Sequence, residues 1–258
     1  MRIAMTRLIY LLTFLTGLFA SGTLHADTLR IGALLSLTGN WSTLGQASQV
    51  MMAMAEEDIN RYLAGHGARY RIQVVVRDTR LQPAIAMEQY RQLVRQGAVT
   101  MVGPLSSSEV AALEPLVARH RIPLISQGST AFTLAKPGDR IYRIVPDDTH
   151  EADALADLLK RRGVTRLVPL WRDDAGNNGL HDSLQTRFAA HGGVMSAGVH
   201  YRADQQDFSS VAAEASRQLQ EAWQPPGGSS ATAAIYVAGF DEAVALIRRA
   251  SELDPLSA

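Results

Sequence analysis

Short apolar runs alternate along this chain with stretches in which apolar residues recur every three or four positions. Residues 29–35 read as a buried strand. Residues 46–63 read as a helix with Met51, Ala55, Ile59 and Tyr62 on one stripe. Residues 70–76 alternate and are β-branched, which predicts a strand. A helix over 82–96 turns Ala86, Tyr90, Leu93 and Val94 inward. A strand over 98–102, a helix over 107–120 and a short strand over 123–126 come next. Pro115 lies inside the third helix, where it is expected to bend or break it.

A second set begins near Asp147. A helix runs from Asp148 to Arg162, with Glu151 placed for a capping box. Then come a strand over 166–171, a helix over 178–191, a strand over 194–200 and a helix over 210–223. A Pro-Gly-Ser loop over 224–230 leads to a strand over 233–237 and a helix over 241–253. Strand–helix alternation of this kind implies mostly parallel sheets flanked by helices, hence an α/β fold. Two sets predict two lobes, over 27–147 and 148–258, with a ligand cleft between them beyond the carboxyl ends of the strands.

Composition narrows the function. The chain has 258 residues, is 47 % hydrophobic and 19 % charged, and carries no formal net charge. That is a globular composition without a nucleic-acid footprint. The only lysines are Lys136 and Lys160; the preference for arginine reads as compositional bias. Arg2 and Arg7 precede an apolar stretch that ends in small residues at Ala26, so residues 1–26 read as a cleaved secretory signal peptide. A membrane anchor is the competing reading of the same stretch. Cysteine is absent, so an exported chain must rely on core burial, and lipid attachment through an N-terminal cysteine is excluded. These features predict a periplasmic location.

Two hydroxyl-rich turns carry the candidate chemistry: Ser106, Ser107 and Ser108 before a helix, and Gly128, Ser129 and Thr130 after the next strand. Ser106 fits an N-cap and Glu109 its N3 partner. First-turn N–H groups and short hydroxyls form a site for a carboxylate, and Gly128 lets the backbone approach. Each turn taken alone is better explained by capping or chain reversal; their joint appearance after successive strands is what points to a site. Trp41 or Leu44, in the loop after the first strand, are candidates to wall the ligand; Trp41 serves equally as a packing residue. Asn177, in the segment 173–179, and Phe240 come after second-lobe strands and are placed to face the first site. The seven histidines are scattered without metal-ligand spacing and read as surface residues, and turn chemistry accounts for Asp78 and Asp207. Nucleophile-elbow, P-loop and dinucleotide motifs are absent, so neither an enzyme nor a cofactor is expected.

The segments 31–39, 102–107, 123–130, 142–147, 174–180 and 206–209 resemble, in order and spacing, the branched-chain amino-acid (leucine/isoleucine/valine) type of periplasmic solute-binding protein of ABC transporters. The resemblance implies a two-lobed type I periplasmic binding protein fold, working as a monomer that captures an amino acid or related carboxylate and delivers it to a permease in the inner membrane. It also implies that Ser107, Gly128 and Thr130 hold the α-carboxylate. Leu44 and Phe240 fall at or near aromatic wall positions, and Gly176 falls where the family often has tyrosine. Family members continue beyond residue 258, so the second part is expected to be incomplete, and the acid that holds the amino group is expected to lie past that residue. A ligand-sensing lobe of a signalling system is the alternative; an exported α/β enzyme is a more distant one.

Overall fold

The computed structural model describes residues 27–223 and 232–252. The leader at 1–26, His25 within it, and the whole loop at 224–230 lie outside those residues. The first sheet is wholly parallel, with β1 (Asp27–Leu35), β2 (Tyr70–Asp78), β3 (Ala98–Val102), β4 (Leu124–Ser126) and β5 (Ile141–Arg143) in the order β2-β1-β3-β4-β5. Between them run α1 (Ser42–Gly65), α2 (Pro83–Arg95) and α3 (Ser107–His120). β5 and a short 3-10 turn at Phe132–Leu134 were not predicted; three residues are too few to show a period. Leu34, Tyr90, Leu93, Met101, Val110, Leu113 and Leu124 form the buried core under α2 and α3. Pro115 stays inside α3 and does not break it.

The second sheet is also parallel. β6 (Arg166–Arg172) is flanked on one side by β7 (Val194–Met195) and β8 (Val199–Tyr201), and on the other by β9 (Ala233–Ala238). The helices are α4 (Asp148–Arg161), α5 (Ala175–Ala190), α6 (Ser209–Trp223) and α7 (Ala243–Glu252). One strand was expected over 194–200, and two appear. Leu167 pairs with Met195 and Leu170 with Val199, so a bulge at 196–198 faces Val168 and Pro169. Pro169 has no N–H to extend the ladder. Gln218 of α6 fills the gap, accepting from Ser196 Oγ at 2.7 Å and Gly198 N–H at 2.9 Å and donating to the Gly198 carbonyl at 3.1 Å.

Three further expectations are corrected. The α1 stripe faces solvent: Met51 and Tyr62 are both 64 % exposed. The helix lies along the free edge of β2, where Glu56 accepts the Val74 N–H at 3.0 Å and Asn60 exchanges two hydrogen bonds with Ile72. Covering an open sheet edge outweighs burial of the stripe. In α4 the cap is Asp147, whose carboxylate accepts the Thr149 N–H at 3.0 Å, and Glu151 makes no capping box. His181 is half-buried, its ring stacked on Trp171 with centroids 4.0 Å apart.

Each sheet has one central strand with later strands on both sides: β1 between β2 and β3, β6 between β8 and β9. The chain therefore leaves in opposite directions after β1 and β3, and in the second sheet β8 and β9 lie on opposite sides of β6. Such reversals open a crevice at the carboxyl ends of the strands. The two crevices face one another.

Candidate functional site

The first jaw is built at the start of α3. Ser106 adopts an extended conformation and its Oγ accepts the Glu109 N–H at 3.3 Å, while the Glu109 carboxyl bonds back to Ser106, completing a capping box. That serine is occupied with its helix. Ser107 Oγ accepts the Ala131 N–H at 3.2 Å and shares a hydrogen with Ser129 Oγ at 3.1 Å, which ties the 128–131 turn to α3. Gly128 is required here: a Cβ would sit 2.8 Å from the Leu105 carbonyl. Among the described residues, the N–H groups of Ser107 and Thr130 have no protein acceptor. They leave donors at a positive helix end, a geometry that suits an anion.

The opposing jaw is the start of α5. Asp174 caps it, accepting the Gly176 and Asn177 N–H groups at 3.0 Å each and the Asn177 side-chain amide at 2.9 Å. Arg172, 6 % exposed, lies 2.8 Å from Asp174 and offsets its charge. A Cβ on Gly176 would lie 3.4 Å from Ser107 Oγ, so the two helix starts meet across the cleft. The end of β9 closes the side with Tyr236 to Phe240.

Between the jaws lies a cavity of about 250 Å³. Trp41, Ser106, Ser107, Gly128, Thr130, Asn177 and Phe240 line it together. Two candidates are elsewhere. Ser129 is fully buried behind Ser107, and Leu44 is 52 % exposed on the first turn of α1, pointing away from the lining.

The lining also holds Asp148, which sequence reasoning assigned only to a helix start. With Asp147 as the cap, Asp148 is the first helical residue and turns inward, 2 % exposed. Its Oδ2 has no hydrogen-bond donor, and neither does the buried Tyr236 hydroxyl have a partner. Burial pushes the Asp148 carboxyl up to about 6; the Thr130 hydroxyl pulls it back, and the charges of Glu151, Asp147 and Asp174 add to the rise. Burial likewise raises the Tyr236 phenol, with Glu151 and Asp148 contributing. The lining thus carries Asp148, Glu151 and Asp174 and no Lys, Arg or His. It offers neutral donors to an anion at one end and, in Asp148 and Glu151, carboxylates without an ion pair among the described residues at the other. No group of His, Cys, Asp and Glu suited to a metal ion occurs among the described residues.

Two lobes of this construction, opening onto a shared cleft at the carboxyl ends of their strands, define a clamp-like ligand-binding protein. The chain belongs to the periplasmic binding protein family, whose sequence profile matches residues 28–254. Family and fold are those of extracytoplasmic solute-binding proteins. An uncharacterised protein of Methanocaldococcus jannaschii is 26 % identical over 236 residues, spanning 89 % of this chain and 55 % of that one. A leucine binding protein from Thermotoga maritima superposes with a TM-score of 0.73 at 23 % identity, over 87 % of this chain and 60 % of that one. A solute binding protein of an ABC transporter from Rhodopseudomonas palustris, in complex with 3,4-dihydroxybenzoic acid, gives a TM-score of 0.67 at 18 % identity, over 88 % and 59 %. The chain spans a little over half the length of these relatives.

Proposed function

We propose that the protein captures an α-amino acid in the interlobe cleft and presents it to an ABC permease in the inner membrane, as a monomer exported by a signal peptide at residues 1–26. The supporting observation is the polarity of the cavity. Ser107 and Thr130 supply donors for a carboxylate, and Asp148 supplies a buried carboxyl oxygen, Oδ2, with no partner. A carboxylate receiving several charge-assisted bonds, each about 1.5–3 kcal/mol, and an ammonium meeting Asp148 together support micromolar binding, which needs about 8 kcal/mol. Asp148 and Thr130 are adjacent in space through a backbone bond of 2.9 Å, which favours charges on neighbouring ligand atoms. Closure would be a hinge motion near residues 147–149.

A second reading, an aromatic acid, draws on the dihydroxybenzoate bound to the Rhodopseudomonas protein and on the rings of Trp41, Tyr236 and Phe240 in the lining. The carboxylates without a cation in the lining disfavour a ligand that is only an anion. Mass spectrometry of ligand released from natively purified protein separates the readings. An amino acid is the expected result, and an aromatic acid without an amine would replace the proposal.

A further inference from the structure

The loops after β1 and β9 meet at the mouth of the cleft. The Trp41 ring packs on Phe240 with centroids 4.0 Å apart and planes inclined by 44°. The Arg172 guanidinium lies 4.2 Å from the centre of the same Phe240 ring. Beside this stack, the Trp41 N–H donates to Asp241 at 3.3 Å and the Asn40 side-chain amide to Glu242 at 3.5 Å. All but the guanidinium contact join first-lobe residues to second-lobe residues directly.

Each half is braced within its own lobe. Ser36, 1 % exposed, donates from Oγ to the Asn40 carbonyl at 2.8 Å. Asp78 accepts the Leu37 N–H at 2.9 Å and the Thr38 hydroxyl at 2.6 Å. Trp41 itself takes a left-handed φ of 60°, unfavourable for a residue with a Cβ, and that turn aims its ring across the cleft. On the other side, Glu242 accepts the Phe240 N–H at 3.1 Å and the Tyr201 hydroxyl at 3.3 Å, with Arg172 3.7 Å away.

We infer that Trp41 and Phe240 form a latch that closes the lobes on one another by direct contact, with Arg172 polarising the shared ring. The closed form is then populated before ligand arrives, and ligand selects it. Aromatic stacking and a cation over a ring supply the attraction. This inference is independent of which ligand the cavity takes.

The absence of cysteine makes the test direct. Ala53→Cys on α1 and Ala189→Cys on α5, both at exposed positions in different lobes, carry a donor and an acceptor dye. Single-molecule energy transfer on the full chain, dialysed free of ligand, reads the closed-to-open ratio. The closed population dominates in the parent. Trp41→Ala and Phe240→Ala each lower the ratio by about fivefold or more, and Trp41→Phe retains most of it. Circular dichroism confirms the fold of each variant; where Trp41→Ala fails to fold, Trp41→Leu keeps bulk without the stack and decides. A parent that is open without ligand, or an unchanged ratio in folded variants at both positions, overturns the latch.

Discussion

The backbone N–H of Asp148 donates to the carbonyl of Thr130 at 2.9 Å, joining the first turn of the second lobe to the anion cradle of the first. The same bond sets a buried carboxylate beside a hydroxyl and an unpaired N–H. The proposed ligand, an α-amino acid, would place its ammonium and carboxylate on these two neighbouring points of one cavity.

The cradle is the first point to test. Ser107→Ala and Thr130→Ala are each expected to weaken amino-acid binding by about tenfold or more, the worth of one hydrogen bond to a charged group. Ser107→Ala also removes the acceptor of the Ala131 N–H, so its melting temperature should fall as well. Calorimetry on both variants checks this; unchanged affinity in the pair removes the cradle from the site.

Asp148 couples function to stability with a definite sign. Its carboxyl is raised from 3.8 to about 6 in the folded protein, chiefly by burial. A raised carboxyl contributes stability that is fully present below about pH 4 and lost as pH rises to about 6. Asp148→Asn should therefore melt about 2–6 °C higher than the parent at pH 7, with the advantage vanishing near pH 4. The same variant should bind amino acids far more weakly. A melting temperature that falls at pH 7 would show that the carboxylate is compensated in the empty protein.

Two glycines should behave oppositely. Gly128→Ala drives a Cβ to 2.8 Å from the Leu105 carbonyl and should cost about 1–3 kcal/mol while displacing the 128–130 turn. Gly65→Ala, at the end of α1, meets nothing within 4 Å and should be neutral or stabilising by up to about 1 kcal/mol. Urea titrations of the two variants measure the contrast.

Gln218 offers a test of the second lobe away from the ligand. Gln218→Leu keeps the buried volume but strips the Gly198 carbonyl of its partner and leaves the Gly198 N–H only the Ser196 hydroxyl at 3.3 Å. An unsatisfied buried group costs about 1–3 kcal/mol, so a loss of about 1–3 kcal/mol is expected. A loss below about 1 kcal/mol in urea unfolding would mean that the bulge at 196–198 takes its hydrogen bonds from water.

Sequence pattern reached the α/β architecture because each core strand was a compact apolar run, and because Ser106 and Glu109 spelled a helix start that the structure builds as a capping box. It failed where a polar contact decided the outcome. The α1 stripe of Met51, Ile59 and Tyr62 had the right period, but Glu56 and Asn60 bond the β2 edge and turn the helix over. Asp148 was hidden by its neighbour: two adjacent aspartates at a helix start look alike in sequence, and only the structure shows Asp147 taking the cap while Asp148 is buried. No local signal relates Trp41 to Phe240, which meet only once both lobes are folded.

The central claim is that the cleft reads carboxylate and ammonium together. Its most direct measurement is calorimetric titration of the parent and Asp148→Asn with a panel of amino acids, each paired with the acid that lacks its amine. The parent is expected to bind at least one amino acid at micromolar concentration and its deaminated partner at least about tenfold more weakly, and Asp148→Asn to narrow that difference. Equal binding of the two members of every pair by the parent, or a preference left intact in Asp148→Asn, would contradict it.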